Sequence, residues 1–213
     1  YDRIVLVVAD GWGFGSSDPD KNPIFAGHTP RMDQVAQGCP YITLAASGEA
    51  VGALAGRSGN SETGHLTLGS GRVVLQDELR IARAIKAGEL RDNEAVDQGL
   101  EAARLHGGDV HILTMLTKKS SHGNMDEGIA VLKAVAAKGF KKVWLHLILD
   151  GRSSPAQGAA ELLNTLRERL PQGIEVEVVT AVGRALALDR SGDYLGKTKL
   201  AYEALVNGEG RGF

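Results

Sequence analysis

The feature that most constrains the fold is an alternation of short apolar runs with stretches whose apolar residues recur at helical spacing. The apolar runs, rich in β-branched residues, lie at 4–8, 41–45, 110–115, 142–149 and 175–181. Their nearly continuous hydrophobicity predicts strands that are buried rather than half-exposed. The helical stretches lie at 77–86, 93–106, 126–138, 155–169 and 194–206. Strands joined by crossover helices predict an α/β fold with a mainly parallel sheet.

The character of the chain changes near residue 75. Before it lie two glycine-rich stretches, at 11–15 and 48–71, whose many polar residues argue for site loops rather than simple linkers. After it, strands and helices follow each other regularly. We therefore expect one part over 1–75 and a second α/β domain over 76–213.

Composition excludes several classes of function. The 24 basic and 26 acidic residues leave a net charge of −2, which argues against nucleic-acid binding through bulk charge. A single cysteine, Cys39, excludes an internal disulfide and favours a reducing compartment, so a cytoplasmic location is expected. The apolar run near the start is too short to span a membrane, and no membrane partner is expected.

Candidate chemistry follows the predicted strands, because ligands of parallel α/β sheets bind at the carboxyl ends of the strands. Asp10 comes directly after the first strand, His122 lies in the loop after the third, and Arg152 follows the fourth. Arg184 and Arg190 follow the fifth. For each arginine the alternative is an ordinary exposed surface residue.

Asp10 has two interpretations. A carboxylate fixed by a buried strand is a suitable ligand for a hard divalent ion, and Gly11 lets the chain turn away. The alternative is an aspartate that caps the following turn.

Ser61 lies in the motif GNSETGH at 59–65, where a glycine-asparagine turn leads into a helix-compatible run. At a helix N-terminus its hydroxyl would meet free backbone N–H groups that favour phosphate, which suits a nucleophile activated by a metal ion. The alternative is that Ser61 is only the N-cap of that helix. His65 could equally be a metal ligand or a structural hydrogen-bonding residue.

A series of motifs resembles the cofactor-independent phosphoglycerate mutase family in order and spacing. In the first part these are DGWG at 10–13, NPI at 22–24, TP at 29–30 with Asp33, ASGEAVG at 46–52, GNSETGH at 59–65 and GSGR at 69–72. In the second part they are LDGR at 149–152, GR at 183–184, LDR at 188–190, YEALV at 202–206 and GEG at 208–210.

The resemblance implies a two-domain enzyme of the alkaline phosphatase superfamily that interconverts 3-phosphoglycerate and 2-phosphoglycerate. It implies two divalent metal ions, expected to be Mn²⁺, and no 2,3-bisphosphoglycerate. Residues 1–75 would be the N-terminal part of the phosphatase-like metal-binding domain. Residues 76–213 would be the inserted phosphotransferase domain, incomplete at its C-terminal end. The rest of the phosphatase-like half would be missing or supplied by another segment.

The resemblance also assigns roles to residues. Ser61 matches the serine that accepts the phosphoryl group, and Asp10 matches an aspartate that binds the same metal ion as the serine oxygen. A small phosphorylated hydroxy acid would be bound by side chains of the second part. The residues that match are His122, which could also move a proton, and Arg152, Ser153, Arg184 and Arg190.

Several positions depart from the family pattern. The segment 117–123 reads TKKSSHG and keeps only the histidine of the family's run, while Ser153 replaces an aspartate. Asn124 and Glu127 replace further histidines. With Lys118 and Lys119 adding positive charge, a more anionic analogue of phosphoglycerate is a candidate substrate. The alternatives to a mutase are a metal-dependent phosphatase or phosphonate-processing relative, and a non-catalytic domain that binds phosphorylated acids.

Overall fold

A computed structural model of the chain describes residues 3–120 and 122–212. The chain divides into two compact units, Tyr1–Gln76 and Asp77–Phe213. Among the described residues, no helix is both long and apolar enough to cross a membrane.

The first unit consists mostly of short helices and ordered loops. Its helices are α1 (Pro23–Ala26), α2 (Pro30–Gly38), a 3₁₀ turn (Gly48–Val51) and α3 (Ser61–Ser70). An antiparallel bridge joins Ser47 to Ser58, and Gln76 N donates to Gly52 O at 2.8 Å. These contacts fix the glycine-rich segment as an ordered loop that leads into α3.

The strands predicted over 4–8 and 41–45 are wrong. Neither segment pairs with another strand in the described residues, and their apolar side chains are open to solvent, as Ile4 (89% exposed) and Ile42 (80% exposed) illustrate. An apolar run has the composition of a strand, but a strand also needs a neighbour to take its backbone hydrogen bonds. The described part of the chain provides no such neighbour here.

The second unit confirms the prediction of an α/β fold with a parallel sheet. Its strands are β1 (His111–Leu116), β2 (Lys142–Leu149) and β3 (Glu175–Gly183), parallel and in that spatial order. Its helical elements are α4 (Asp77–Ala87), a 3₁₀ turn (Glu89–Asp92), α5 (Glu94–His106), α6 (Met125–Ala137), α7 (Ala159–Glu168), α8 (Arg184–Ala187), α9 (Lys199–Tyr202) and two π-helical turns that flank α9 (Tyr194–Thr198 and Glu203–Asn207).

The core of this unit lies on one face of the sheet. Val143, Leu145 and Leu147 of β2 alternate into it and are almost completely inaccessible. They pack with Leu132 of α6 and Leu166 of α7 in one cluster. Because parallel strands end at the same edge, this packing brings the loops after β1, β2 and β3 together.

Element boundaries differ from the predictions mainly at α7. That helix begins at Ala159 rather than at residue 155, because residues 155–158 form a turn in which Gln157 has a positive φ of 70°. The predicted helix over 194–206 is present as Tyr194–Asn207, but its two ends have π-helical hydrogen bonding.

Helix α6 approaches β1 most closely at Gly128. A Cβ atom built there would lie 2.6 Å from Thr114 Oγ1 and 3.0 Å from Thr114 Cβ. Threonine is stiff at χ1, so it cannot easily move away. We expect Gly128→Ala to destabilise the chain by about 1–3 kcal/mol through overpacking, although alanine is the better helix former. Urea unfolding of the two proteins measures the difference, and a more stable variant would contradict this prediction.

Two histidines face each other on the opposite side of the sheet. His111 Nδ1 lies 2.9 Å from His146 Nε2, and His146 Nδ1 lies 2.7 Å from Thr180 Oγ1. Burial, and then the nearby His111, lower the pKa of His146 from its ordinary value of 6.5. The unfolded chain therefore binds more protons than the folded chain just below pH 6.5.

From this linkage we expect the free energy of unfolding to fall as the pH is lowered through 6.5 toward the depressed pKa of His146. His146→Gln removes the titrating group and should flatten that part of the profile, even if it lowers stability throughout. Denaturant unfolding of both proteins between pH 7.5 and 5 tests the slope. Parallel profiles would show that His146 does not contribute.

Candidate functional site

Ser61 is the first residue of α3, and it is not the cap of that helix. The N-cap is Asn60, whose side-chain oxygen accepts from Thr63 N at 2.8 Å. Of the two interpretations of Ser61, the structure therefore removes the N-cap. The hydroxyl of Ser61 is exposed and takes no part in capping, while the first backbone N–H groups of the helix have no intrahelical acceptor.

His65 lies one turn after Ser61 and contacts it twice. Its Nδ1 is 2.7 Å from the carbonyl oxygen of Ser61 and 3.2 Å from Ser61 Oγ. A carbonyl oxygen can only accept, so Nδ1 carries the proton and donates it. In this arrangement Nδ1 cannot also act as a base toward the hydroxyl, and Nε2 is the nitrogen with a free lone pair.

A buried threonine holds the start of α3 in place. Thr63 is 2% exposed, and its Oγ1 donates to the side-chain oxygen of Asn60 at 2.7 Å. Gln76 Nε2 donates to the same Oγ1 from the end of this unit. The helix terminus is thus fixed by neighbours of Ser61 and not by the hydroxyl of Ser61 itself.

Asp10 occupies a turn rather than the end of a strand. Trp12 N donates to Ala9 O at 3.1 Å, and Gly11 at the corner has a positive φ of 76°. The predicted need for glycine at 11 is thus confirmed. Among the described residues no backbone N–H of the turn donates to the Asp10 carboxylate, so the turn-cap interpretation finds no support.

The metal ions implied by the family do not fit this chain alone. Within 3–120 and 122–212, no three histidine, cysteine, aspartate or glutamate side chains are close enough to hold an ion together. Among the described residues, two side chains match metal ligands of the family, those of Asp10 and Ser61, whereas a hard divalent ion takes about six ligands. A metal centre cannot be assembled from these residues.

The loop after β1 carries His122 and leads directly into α6. His122 is exposed, and its backbone N–H donates to Ser120 Oγ at 3.1 Å. Helix α6 then begins with a capping box, in which Asn124 Oδ1 accepts from Glu127 N and Glu127 Oε2 accepts from Asn124 N. The two residues that depart from the family's histidines therefore form a helix cap.

The buried carboxylate of Asp150, at the end of the central strand β2, links two of the three strand ends. Its side chain has no accessible surface. Arg184, at the end of β3, donates from Nη1 to Asp150 Oδ1 at 2.8 Å. The backbone N–H groups of Arg152 and Ser153 donate to the same carboxylate at 3.2 and 2.9 Å. The predicted residues Arg152, Ser153 and Arg184 are thus brought together by a fourth residue.

The charge of Asp150 is stabilised despite its burial. Burial by itself raises the pKa of a carboxyl group, but hydrogen bonds outweigh it and lower the pKa of Asp150. The donors in the structure are Arg184, the two backbone N–H groups and the hydroxyl of Ser154. Asp150 is therefore ionised at neutral pH, and the ends of β2 and β3 both contact it.

The side chains of the remaining predicted residues are exposed to solvent. The side chains of Arg152 and Ser153 are exposed, and so is Arg190. The preceding Asp189 accepts from Ser191 Oγ and from Lys197 Nζ, and these bonds lower its pKa. Asp189 thus ties the loop of Arg190 to the helical segment that starts at Tyr194.

Asp150 and Lys197 were not among the predicted site residues. For Asp150 a signal exists in the sequence, since an aspartate directly after a buried strand is the pattern that singled out Asp10. For Lys197 no local signal exists, because its role comes from its contact with Asp189 in a different segment.

Comparison with protein families gives one matching family model. Residues 81–212 match the model described as the BPG-independent PGAM N-terminus. The 2,3-bisphosphoglycerate-independent phosphoglycerate mutase of Moorella thermoacetica is 38% identical over 207 residues, which cover 97% of this chain and 40% of that protein. A protein of the same description from Methanosarcina barkeri is 36% identical and is covered to 39%. The chain spans about two fifths of the length of the curated relatives it matches.

A solved structure is similar over almost the whole chain. It is a phosphoglycerate mutase of Leishmania mexicana that was crystallised at low cobalt concentration. The TM-score is 0.71 at 28% sequence identity, and the match covers 97% of this chain and 39% of the other. This similarity supports the α/β assignment independently of the sequence motifs.

Asp10 and Ser61 are too few side chains to complete the coordination of a divalent ion. We therefore expect the 213-residue chain to bind Mn²⁺ no more tightly than a surface carboxylate does. Calorimetric titration with MnCl₂ checks this, and Asp10→Asn serves as the matched control, because its titration curve should be the same as that of the unchanged chain. Stoichiometric, tight binding that Asp10→Asn abolishes would mean that the chain builds a complete metal site.

Proposed function

This chain belongs to the family of BPG-independent phosphoglycerate mutases, and from that membership we propose that it carries the phosphoryl-accepting serine and the acid-binding strand ends of such a mutase. The complete enzyme would interconvert 3-phosphoglycerate and 2-phosphoglycerate through a phosphoserine intermediate, and the family description excludes a need for 2,3-bisphosphoglycerate.

One observation carries the proposal more than any other. Ser61 is exposed at the first position of α3, while Asn60 caps the helix. A serine kept at this position without a capping role is what a nucleophile for phosphate requires. The open N–H groups at the helix start would hold the phosphoryl oxygens, since the positive end of the helix favours anions.

The chemistry assigned to this chain is then a reversible transfer. Ser61 Oγ gives up its proton to solvent and forms a bond to phosphorus while the bond between phosphorus and one glycerate oxygen breaks. The departing oxygen gains a proton, which His122 would supply as a general acid. Transfer back to the other hydroxyl of glycerate completes the isomerisation.

Binding of the acid is assigned to the second unit. Arg152, Arg184 and Arg190 would hold the carboxylate and phosphate, because planar guanidinium groups can donate two parallel hydrogen bonds to such groups. Ser153, where the family has an aspartate, would offer a hydroxyl instead of a charge. With Lys118 and Lys119 exposed nearby in sequence, a more anionic phosphorylated acid fits the same residues.

The remaining assignments follow from the family. We propose that residues 1–75 are part of the phosphatase-like domain and that residues 76–213 are the phosphotransferase domain. The metal ions of the complete enzyme, expected to be two Mn²⁺, would take most of their ligands from outside these 213 residues. A cytoplasmic location is part of the same proposal.

The test is Ser61→Ala in the full-length protein. Mutase activity with 3-phosphoglycerate should fall by several orders of magnitude, because the acceptor is gone. The free energy of unfolding should change by less than about 0.5 kcal/mol, as for a surface substitution without a cap. The neighbouring Glu62→Gln is the control, which should keep both activity and stability.

Mass spectrometry of the unchanged protein should find phosphate on Ser61 after incubation with 3-phosphoglycerate. Full activity of Ser61→Ala would contradict the assignment of the nucleophile. Release of free phosphate in place of 2-phosphoglycerate would identify a phosphatase. Binding of the acid with no phosphoserine and no turnover would identify a non-catalytic domain.

A further inference from the structure

Asp150 combines complete burial with a position at the centre of the proposed binding edge. Its side chain has no accessible surface, so it cannot itself contact a ligand in this structure. It nevertheless accepts from the side chain of Arg184 and from the backbone of the loop after β2. Any effect of Asp150 on binding must therefore act through these groups.

Arg184 uses only part of its guanidinium in this contact. Its Nη1 donates to Asp150 Oδ1 at 2.8 Å, and its side chain is 17% exposed. No other described residue accepts from its remaining nitrogens. A guanidinium is a rigid planar fork, so fixing one nitrogen on a buried carboxylate also fixes the direction of the others.

We propose that Asp150 is a positioning residue that presets Arg184 and the loop at 152–154 for an anionic oxygen of the ligand. The chemical class of that ligand, a phosphorylated hydroxy acid, rests on the proposed function. The positioning of Arg184 by Asp150 rests on the contacts themselves.

The direction in which anion affinity changes when Asp150 is neutralised separates a positioning role from simple electrostatics. Asp150 is a negative charge close to a site for anions, and Coulomb's law alone predicts that its removal makes anion binding tighter. Loss of positioning predicts the opposite, since Arg184 would no longer be held in the binding orientation. A purely structural role predicts lower stability without a specific change in affinity.

The experiment is a calorimetric titration of the 213-residue chain with 3-phosphoglycerate at constant ionic strength. We expect Asp150→Asn to weaken binding by about tenfold or more, the effect of losing a charge-assisted hydrogen bond. Leu166→Ala is the control: it disturbs the core of α7 and should lower the melting temperature while leaving the affinity unchanged. Unchanged or tighter binding by Asp150→Asn would overturn the proposal.

A double-mutant cycle tests whether Asp150 acts through Arg184. In the background of Arg184→Met, the further change Asp150→Asn should cause no additional loss of affinity, because the group it positions is absent. Equal losses in both backgrounds would show that Asp150 acts by another route and would also overturn the proposal.

A measurement on the unchanged chain covers the case in which the variants do not fold. Nitrogen-15 NMR of the arginine side chains should show slow rotation and slow hydrogen exchange for the Arg184 guanidinium. Arg152, whose side chain is exposed and makes no hydrogen bond or ion pair with another described residue, is the internal reference and should show fast averaging. Equal averaging of the two would overturn the positioning role. If Arg184 is restrained but no acid binds, the proposed function fails while the positioning of Arg184 stands.

Discussion

The second unit depends on how one buried charge is stabilised. A carboxylate without accessible surface is costly unless it is paired and hydrogen-bonded, and removal of one partner typically costs several kcal/mol. Asp150 meets this requirement with donors from Arg184 after β3 and from the loop after β2, which supplies two backbone N–H groups and the hydroxyl of Ser154. Neither of these two strand ends can therefore move far without leaving the charge unsatisfied. The constraint that stabilises the fold at this edge is the same one that fixes the geometry of the proposed binding residues.

The two units differ in whether the residues proposed for function also hold the local fold together. In the first unit Asn60 and Thr63 fix the start of α3, and the hydroxyl of Ser61 takes no part in the cap. In the second unit one nitrogen of Arg184 is bound to Asp150 while the others remain available. Under the proposed function, substitution at Ser61 removes the phosphoryl acceptor and leaves the helix cap in place. Substitution at Arg184 always changes stability as well, and its effects need a cycle with its partner to interpret.

The sequence predicted the second unit better than the first, for a physical reason. Helices such as α6 and α7 are defined by hydrogen bonds within one segment, and they are the crossovers that bring β1, β2 and β3 side by side. The runs at 4–8 and 41–45 have the same composition, but a strand is defined by its partner, which local sequence does not contain. The arginines could be placed after strands, whereas the bond from Arg184 to Asp150, 34 residues apart, could not. Asn124 and Glu127 were interpreted as lost pocket histidines, although their three-residue spacing is that of a capping box.

The contact between Asp150 and Arg184 also affects how anions would be attracted to the carboxyl ends of the strands. Because Asp150 offsets much of the charge of Arg184, that arginine attracts anions less through its net charge than through its oriented donors. Exposed positive charge comes instead from Arg152, Lys118 and Lys119, whose attraction for anions is screened by salt. Serine at 153 adds no negative charge to offset them. Long-range attraction of an anionic acid would thus depend on exposed cations and on ionic strength, while its orientation would depend on the buried pair.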